Sequence, residues 1–221
     1  MKTVVITGAG AGIGKALTAE FLRTDYRVYA CTRSGTLDVT AHPNLTVLEL
    51  ELTAEQSIQQ VKNYFSSNKI KLDLIINNAG IGPDINTLVP ERKSFISTFE
   101  TNVFGTVFFT EALLEFTGQG SVIFIISSLM GQMDRFAVAD SNAYRMSKTA
   151  INMYTKSLSA RLKNEQIQVN AIHPGWVKTK MGGTEAPLLP ETSAKNIVAL
   201  AQRHLPSGTF WDAENLRQMN W

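Results

Sequence analysis

Short apolar runs recur along the chain, most of them separated by longer amphipathic stretches. Six stand out: Val4-Val5-Ile6, Arg27-Val28-Tyr29-Ala30-Cys31, Thr46-Val47-Leu48, Leu72-Asp73-Leu74-Ile75-Ile76, Val122-Ile123-Phe124-Ile125-Ile126 and Gln168-Val169-Asn170-Ala171-Ile172. They are rich in β-branched residues, apolar toward both faces, and end in Gly, Ser, Asn or Pro, as expected of strands covered on both sides. Helical spacing of apolar residues fills the intervals. It predicts helices over 15–23 (Ala16, Leu17, Ala19, Phe21), 57–65 (Ile58, Val61, Phe65), 94–116, 142–162 (Ile151, Tyr154, Leu158, Leu162) and 194–205. Alternating strand and helix implies α/β architecture, a parallel sheet with helices on both faces. Right-handed crossovers make it doubly wound, and ligands then sit beyond the carboxyl ends of the strands.

A chain of 221 residues suits a single domain over 1–221. The charge balance of 21 basic and 19 acidic residues leaves a net +2, which gives no electrostatic case for nucleic acid or an anionic membrane. The lone Cys31 excludes an internal disulfide and any cysteine-based metal site, and no metal is expected. The apolar run Val4-Val5-Ile6 is too short for a signal peptide, and no stretch approaches the ~20 apolar residues of a membrane span. A cytoplasmic protein is the expectation.

Two short patterns carry candidate chemistry. Thr7-Gly8-Ala9-Gly10-Ala11-Gly12-Ile13-Gly14 follows the first strand and opens the first helix. Glycines there allow a tight turn and close approach of a pyrophosphate, whose charge the helix N-terminus favours. The usable spacing is Gly8, Gly12, Gly14 rather than the commoner G-x-G-x-x-G. The second strand ends Ala30-Cys31-Thr32-Arg33-Ser34 with no carboxylate to hold a ribose 2′-hydroxyl. Arg33 is a planar donor suited to a 2′-phosphate, which favours NADP(H) over NAD(H).

Tyr144 and Lys148 form the second pattern, one helical turn apart on one face. A tyrosine normally holds its proton to about pH 10. A neighbouring ammonium is expected to lower that pKa and make the phenol a usable acid or base. Taken alone, the spacing also occurs by chance in many helices.

These patterns occur in an order that resembles the classical short-chain dehydrogenases/reductases. The order runs Thr7-Gly8-x-x-x-Gly12-x-Gly14, Asn77-Asn78-Ala79-Gly80, Asn102 in Thr101-Asn102-Val103-Phe104-Gly105, Ser127-Ser128, Tyr144-x-x-x-Lys148 and Asn170-Ala171-Ile172-His173-Pro174-Gly175. The short length, Met181-Gly182-Gly183 and the tail from Thr209-Phe210-Trp211-Asp212 to Trp221 are most similar to the small C-factor/sniffer-like carbonyl reductases. The resemblance implies a Rossmann fold and reduction of an aldehyde or ketone with NADP(H).

It also implies roles. Tyr144 protonates the carbonyl oxygen. Lys148 lowers the Tyr144 pKa and binds ribose hydroxyls. Ser128, rather than Ser127, orients the carbonyl, and Asn102 holds a relay water. Gly8, Gly12, Ile13, Gly14, Arg33, Ser34, Glu51, Leu52, Asn78, Ala79, Gly80, Tyr144, Lys148, Pro174, Gly175, Val177 and Thr179 then contact the cofactor, Thr179 with Val177 at the carboxamide and Glu51 where the family often has Asp. The bland readings are a strand-end cap for Ser128, a helix-interior kink for Asn102, and a plain turn at Ala79-Gly80. His173 reads as a backbone-positioning residue and not a base.

The sequence departs from the family in three places. Ala11 stands where many NADP-dependent members carry a basic residue, Glu51 replaces Asp, and sixteen positions separate Ser128 from Tyr144, which places an insertion within 131–140. The candidate pocket wall is Met130, Met133, Phe136, Val138, Trp176, Met181, Leu188 and Leu189, with 176–190 as a short substrate-binding segment; several of these residues could equally pack in the core. A second reading is an NADPH-binding sensor without turnover, which has no need of the intact Asn102, Ser128, Tyr144 and Lys148. An isomerase or dehydratase fits the glycine spacing less well. The helices over 94–116 and 142–162 correspond to those through which the family forms homodimers or homotetramers, although an apolar stripe also serves packing on a sheet.

Overall fold

The computed structural model describes residues 1–134 and 138–221. Phe136, expected in the pocket wall, lies outside them. One eight-stranded sheet runs through the chain: β1 Thr3–Thr7, β2 Arg27–Thr32, β3 Leu45–Glu49, β4 Leu74–Asn77, β5 Val122–Ile126, β6 Gln168–His173, β7 Thr209–Asp212 and β8 Arg217–Met219, in spatial order β3-β2-β1-β4-β5-β6-β7-β8. Every pairing is parallel except β7 with β8. The order reverses direction at β1 and β4, so a crevice opens beyond their carboxyl ends. All six expected strands are present. The seventh and eighth were not read as strands: they are four and three residues long, β7 pairs with β6, distant in sequence, and β8 pairs only with β7 among the described residues.

The helices are α1 Gly12–Arg23, α2 Glu55–Ser67, α3 Arg92–Phe99, α4 Thr106–Leu113, α5 Asn142–Arg161 and α6 Pro190–Ala201. Side chains alternate across β1, with Val4 and Ile6 on one face and Val5 on the other. The first face packs on α1 and α6 through Leu17, Phe21, Ile197 and Leu200. The second packs on α2, α4 and α5 through Phe65, Phe109, Leu113, Ile151 and Leu158. Each of these buried side chains contributes about 1.5–3 kcal/mol of transfer free energy.

The expected helix over 94–116 is not continuous. α3 passes into a π-helical stretch, Glu100–Gly105, before α4, and ends in a 3₁₀ turn, Leu114–Phe116. Asn102 lies inside the π stretch, and a Cβ at Gly105 would fall 2.7 Å from Leu52 Cβ. The widened turn therefore lets the helix lie against the end of β3 while turning Asn102 inward. No helix among the described residues is long and apolar enough to cross a membrane.

Candidate active site

The glycine turn forms as its spacing requires. Gly8 and Gly12 adopt φ of +64° and +52°, which only glycine takes without strain. A Cβ at Gly14 would lie 2.2 Å from the Gly8 carbonyl oxygen, so the third glycine lets α1 press against the turn. Ala11 precedes α1 without a side-chain cap, and the first turn carries no acid. Its leading N–H groups are thus left for an anionic ligand. These features fit a dinucleotide pyrophosphate. Ile13 is half-buried beside them.

The loop after β4 is locked to this turn. Thr7 Oγ1 accepts from the N–H groups of Asn78 and Ala79, both at 3.0 Å. Asn78 Nδ2 donates to the carbonyls of Thr7 at 2.9 Å and Gly8 at 3.2 Å. Asn78 therefore shapes the turn rather than reaching past it. Gly80 faces inward: a Cβ there would stand 3.4 Å from Asn102 Oδ1 and 3.5 Å from Lys148 Nζ.

Asn102 clasps the next residue in both directions. Oδ1 accepts from Ile81 N–H and Nδ2 donates to Ile81 O, each at 2.8 Å, and Nδ2 also donates to Ser147 Oγ at 3.1 Å. Both amide hydrogens of Asn102 are thus engaged within the fold, and the side chain turns inward from the π-helical stretch.

At the end of β5 the two serines part. Ser127 turns into the core, donating to Asn152 Oδ1 at 2.6 Å. Ser128 Oγ accepts from Met130 N–H at 3.1 Å, which makes it a cap, and its hydroxyl opposes the upward shift that burial gives the Tyr144 pKa. Accepting from Met130 leaves its own hydroxyl proton to be donated. His173 Nδ1 accepts from Leu129 N–H at 3.4 Å, and burial pushes the imidazole down to about 4, with Asp212 opposing. A neutral ring that accepts a hydrogen bond supports the positioning reading.

Tyr144 and Lys148 are both buried on α5, with Nζ 5.5 Å from the Tyr144 ring centroid. The expectation that Lys148 draws the tyrosine pKa toward neutrality is overturned here. Burial pushes Tyr144 up to about 12, opposed by its bond with Ser128, and burial pushes Lys148 down to about 8. Burial dominates at both groups, and Nζ donates to Ile126 O at 2.9 Å rather than to the phenol oxygen.

The remaining expected positions surround this centre unevenly. Thr179 closes over the glycine turn: its Cγ2 would stand 3.0 Å from a Cβ on Gly12. Val177 is buried and bridged to Leu188, while Gly175, at φ +90°, packs against Leu188 and Pro174 O accepts from Ser193 Oγ at 2.6 Å. Arg33 and Ser34 are exposed beyond β2, where the Ser34 and Thr36 hydroxyls are 2.9 Å apart. Leu52 is buried, and Glu51 Oε1 turns back to accept from Thr53 N–H at 3.1 Å and Oγ1 at 3.0 Å. Of the wall residues, Met133, Val138, Trp176, Met181 and Leu189 are exposed rather than packed in the core. Met130 and Leu188 are half-buried.

Asp84 went unread in the sequence. It is buried, and its carboxylate accepts from Ala143 N–H at 2.7 Å and from Tyr144 N–H at 3.3 Å. Local pattern could not reveal it, because the helix it caps begins more than fifty residues away.

The chain matches the family model for short chain dehydrogenase over residues 2–187. It is similar to a dehydrogenase/reductase SDR family protein 7-like of Drosophila melanogaster, 30% identical over 217 residues, 89% of this chain and 65% of that protein. The chain thus spans just under two thirds of that relative's length. Among solved structures, the carbonyl reductase Sniffer of D. melanogaster aligns over 100% of both chains at 27% identity with a TM-score of 0.88. An NADPH-bound carbonyl reductase from chicken fatty liver aligns over 100% of this chain and 99% of its own at 27% identity and TM-score 0.91. The match spans both the glycine turn and the Ser128–Tyr144–Lys148 cluster, and with it the chain belongs to the short-chain dehydrogenase/reductase family of oxidoreductases.

Proposed function

We propose that the chain reduces an aldehyde or ketone to an alcohol with NADPH. The observation that carries this reading is the burial of Tyr144 and Lys148 together on α5, with Nζ 5.5 Å from the Tyr144 ring centroid, beside the carboxyl end of β5 where Ile126 O accepts from Nζ. When bound, NADPH supplies a hydride from its nicotinamide ring to the carbonyl carbon. The glycine turn at Gly8–Gly14 holds the pyrophosphate, Arg33 and Ser34 meet the 2′-phosphate, and Lys148 binds ribose hydroxyls. Asn78, Ala79 and Gly80 form the floor beside the cofactor, and Pro174, Gly175, Val177 and Thr179 form the edge above it. Glu51 and Leu52 lie at the adenine end.

Ser128 donates its hydroxyl proton as a hydrogen bond to the carbonyl oxygen and fixes its direction. Tyr144 gives its proton to the same oxygen as the alkoxide forms. A phenol that burial keeps protonated through neutrality suits the reductive direction. The segment 176–190 is the substrate-binding part of the single domain. Its exposed Trp176, Met181 and Leu189 favour an apolar carbonyl compound.

The test is Tyr144→Phe, assayed as NADPH oxidation against a panel of aromatic and aliphatic aldehydes and ketones. Turnover is expected to fall about 10²–10⁴-fold, the range of general acid catalysis, with NADPH affinity retained. Near-normal turnover in this variant would exclude Tyr144 as the proton donor. Tight NADPH binding with no turnover of any carbonyl by the unaltered protein would favour a sensor.

A further inference from the structure

We infer that Asp84 is a positioning residue for Tyr144, and that the loop carrying it is a brace between the two halves of the candidate site. This inference rests on the reading of Tyr144 as proton donor. α5 begins without a local cap: Ser141, the residue before it, is in the left-handed region at φ 56°, and its side chain does not cap the helix. The capping acceptor comes from the loop after β4 instead. Asp84 Oδ2 accepts from Ala143 N–H at 2.7 Å, and Oδ1 accepts from Tyr144 N–H at 3.3 Å. A carboxylate there satisfies two orphan amides and is favoured by the helix dipole.

The same loop is tied to the same helix start at further points. Asn86 N–H donates to Ser141 Oγ, and Ser141 N–H donates to Thr87 O, each at 3.0 Å. Gly82 sits directly against the ring, since a Cβ there would lie 3.1 Å from Tyr144 Cδ2 and 2.7 Å from Ile85 Cδ1. At its other end the loop begins at Ile81, whose N–H and carbonyl are both clasped by Asn102. The backbone of Tyr144 and the side chain of Asn102 are therefore referenced to one short segment. Asp84 is the only side chain of that segment, among the described residues, that bonds to the Tyr144 backbone. With α5 uncapped, its first turn is free to fray, and the phenol then loses its register with Ser128.

The experiment uses the full chain and three variants, Asp84→Ala, Asp84→Asn and Tyr144→Phe. Three quantities are read: amide hydrogen exchange at Ala143 and Tyr144, NADPH affinity by fluorescence, and kcat and KM with the carbonyl of the panel that the unaltered protein turns over best. Asp84→Ala is expected to speed exchange at both amides and lower kcat about 100-fold, the cost of a misplacement near 1 Å. NADPH affinity and KM are expected to stay within about twofold, since only the step needing Tyr144 is disturbed. Asp84→Asn keeps one acceptor oxygen, enough for Ala143 N–H, and is expected to lose less kcat than Asp84→Ala while still speeding exchange at Tyr144.

Unchanged kcat in Asp84→Ala, or an equal loss of NADPH affinity, overturns the positioning role. Should the alanine variant not fold, unchanged kcat and unchanged exchange at Tyr144 in Asp84→Asn overturn it as well, because the second acceptor oxygen would then do nothing. The two readings separate cleanly. Full activity in Tyr144→Phe sinks the proton-donor assignment, whereas an inactive Tyr144→Phe beside a fully active Asp84→Ala sinks only the role of Asp84.

Discussion

Lys148 donates from Nζ to the carbonyl oxygen of Ile126 at 2.9 Å, so the ammonium of the Tyr144-x-x-x-Lys148 pair is anchored on the end of β5. It reaches the phenol only across the ring face, 5.5 Å from the centroid. Burial lowers Lys148 to about 8 and raises Tyr144 to about 12. Tyrosine therefore keeps its proton well past the pH at which lysine loses its own. The alkaline limb of reductive kcat/KM, which reports the free protein, is expected near pH 8, from Lys148, with none from the tyrosine in that range. Lys148→Arg holds its charge to high pH and is expected to lose the limb near 8 while turning over more slowly. A limb near 8 that persists in Lys148→Arg would assign it to another group.

Arg33 is exposed and forms no ion pair among the described residues, so its guanidinium is available to a ligand. Arg33→Ala is expected to weaken NADPH binding about 10–100-fold, the worth of a charge-assisted hydrogen bond, and to leave NADH binding within about threefold. Fluorescence titration with both nucleotides checks this. Equal losses for the two would mean that Arg33 does not meet a 2′-phosphate.

Gly14 has no room for a methyl group: its Cβ would stand 2.2 Å from Gly8 O and 2.6 Å from Asn78 Nδ2. Both neighbours are held by the Thr7–Asn78 bonds and cannot withdraw. Gly14→Ala is expected to cost about 1–3 kcal/mol, the usual penalty of overpacking. At about 2–4 °C per kcal/mol for a chain of this size, the melting temperature drops several degrees. Calorimetry with and without NADPH should show the loss and a reduced stabilisation by the nucleotide.

His173 gives an acid-side signature of stability. Its folded pKa, about 4, lies below the ordinary value of 6.5. Between those values the unfolded chain binds more protons, so stability rises with pH across the window and is lost as pH falls from 6.5 to 4. The shift corresponds to about 3 kcal/mol at 1.36 kcal/mol per unit. His173→Asn, which keeps an acceptor for Leu129 N–H, is expected to flatten that part of the stability curve. Melting temperatures at pH 7 and 4.5 decide it; parallel curves for both proteins would place the acid sensitivity elsewhere.

Most of the sheet and the glycine turn were legible because they depend on short-range rules. Val4-Val5-Ile6 and Val122–Ile126 announce themselves as buried strands whatever surrounds them. Gly8, Gly12 and Gly14 declare a turn that nothing bulkier permits. The helix over 94–116 was misread as continuous because a π stretch at Asn102 has no local signal: it forms where Leu52 and Ile81, brought from elsewhere, meet the helix. β7 escaped notice for a similar reason, since its partner β6 lies outside any local window, and β8 is a three-residue strand that pairs only with β7 among the described residues.

Sequence by itself determined which residues could do the chemistry: a phenol and an amine one turn apart, a serine at a strand end, and glycines where a phosphate must approach. Tertiary structure alone decided that Ser127 bonds Asn152 in the core, that Ile126 holds Lys148, and that Asp84 secures the start of the helix bearing Tyr144. The physical reason is range. Propensity and steric rules act over a few neighbouring residues, whereas desolvation and hydrogen-bond partnership depend on whatever the fold brings within about 3 Å, however far apart in the chain.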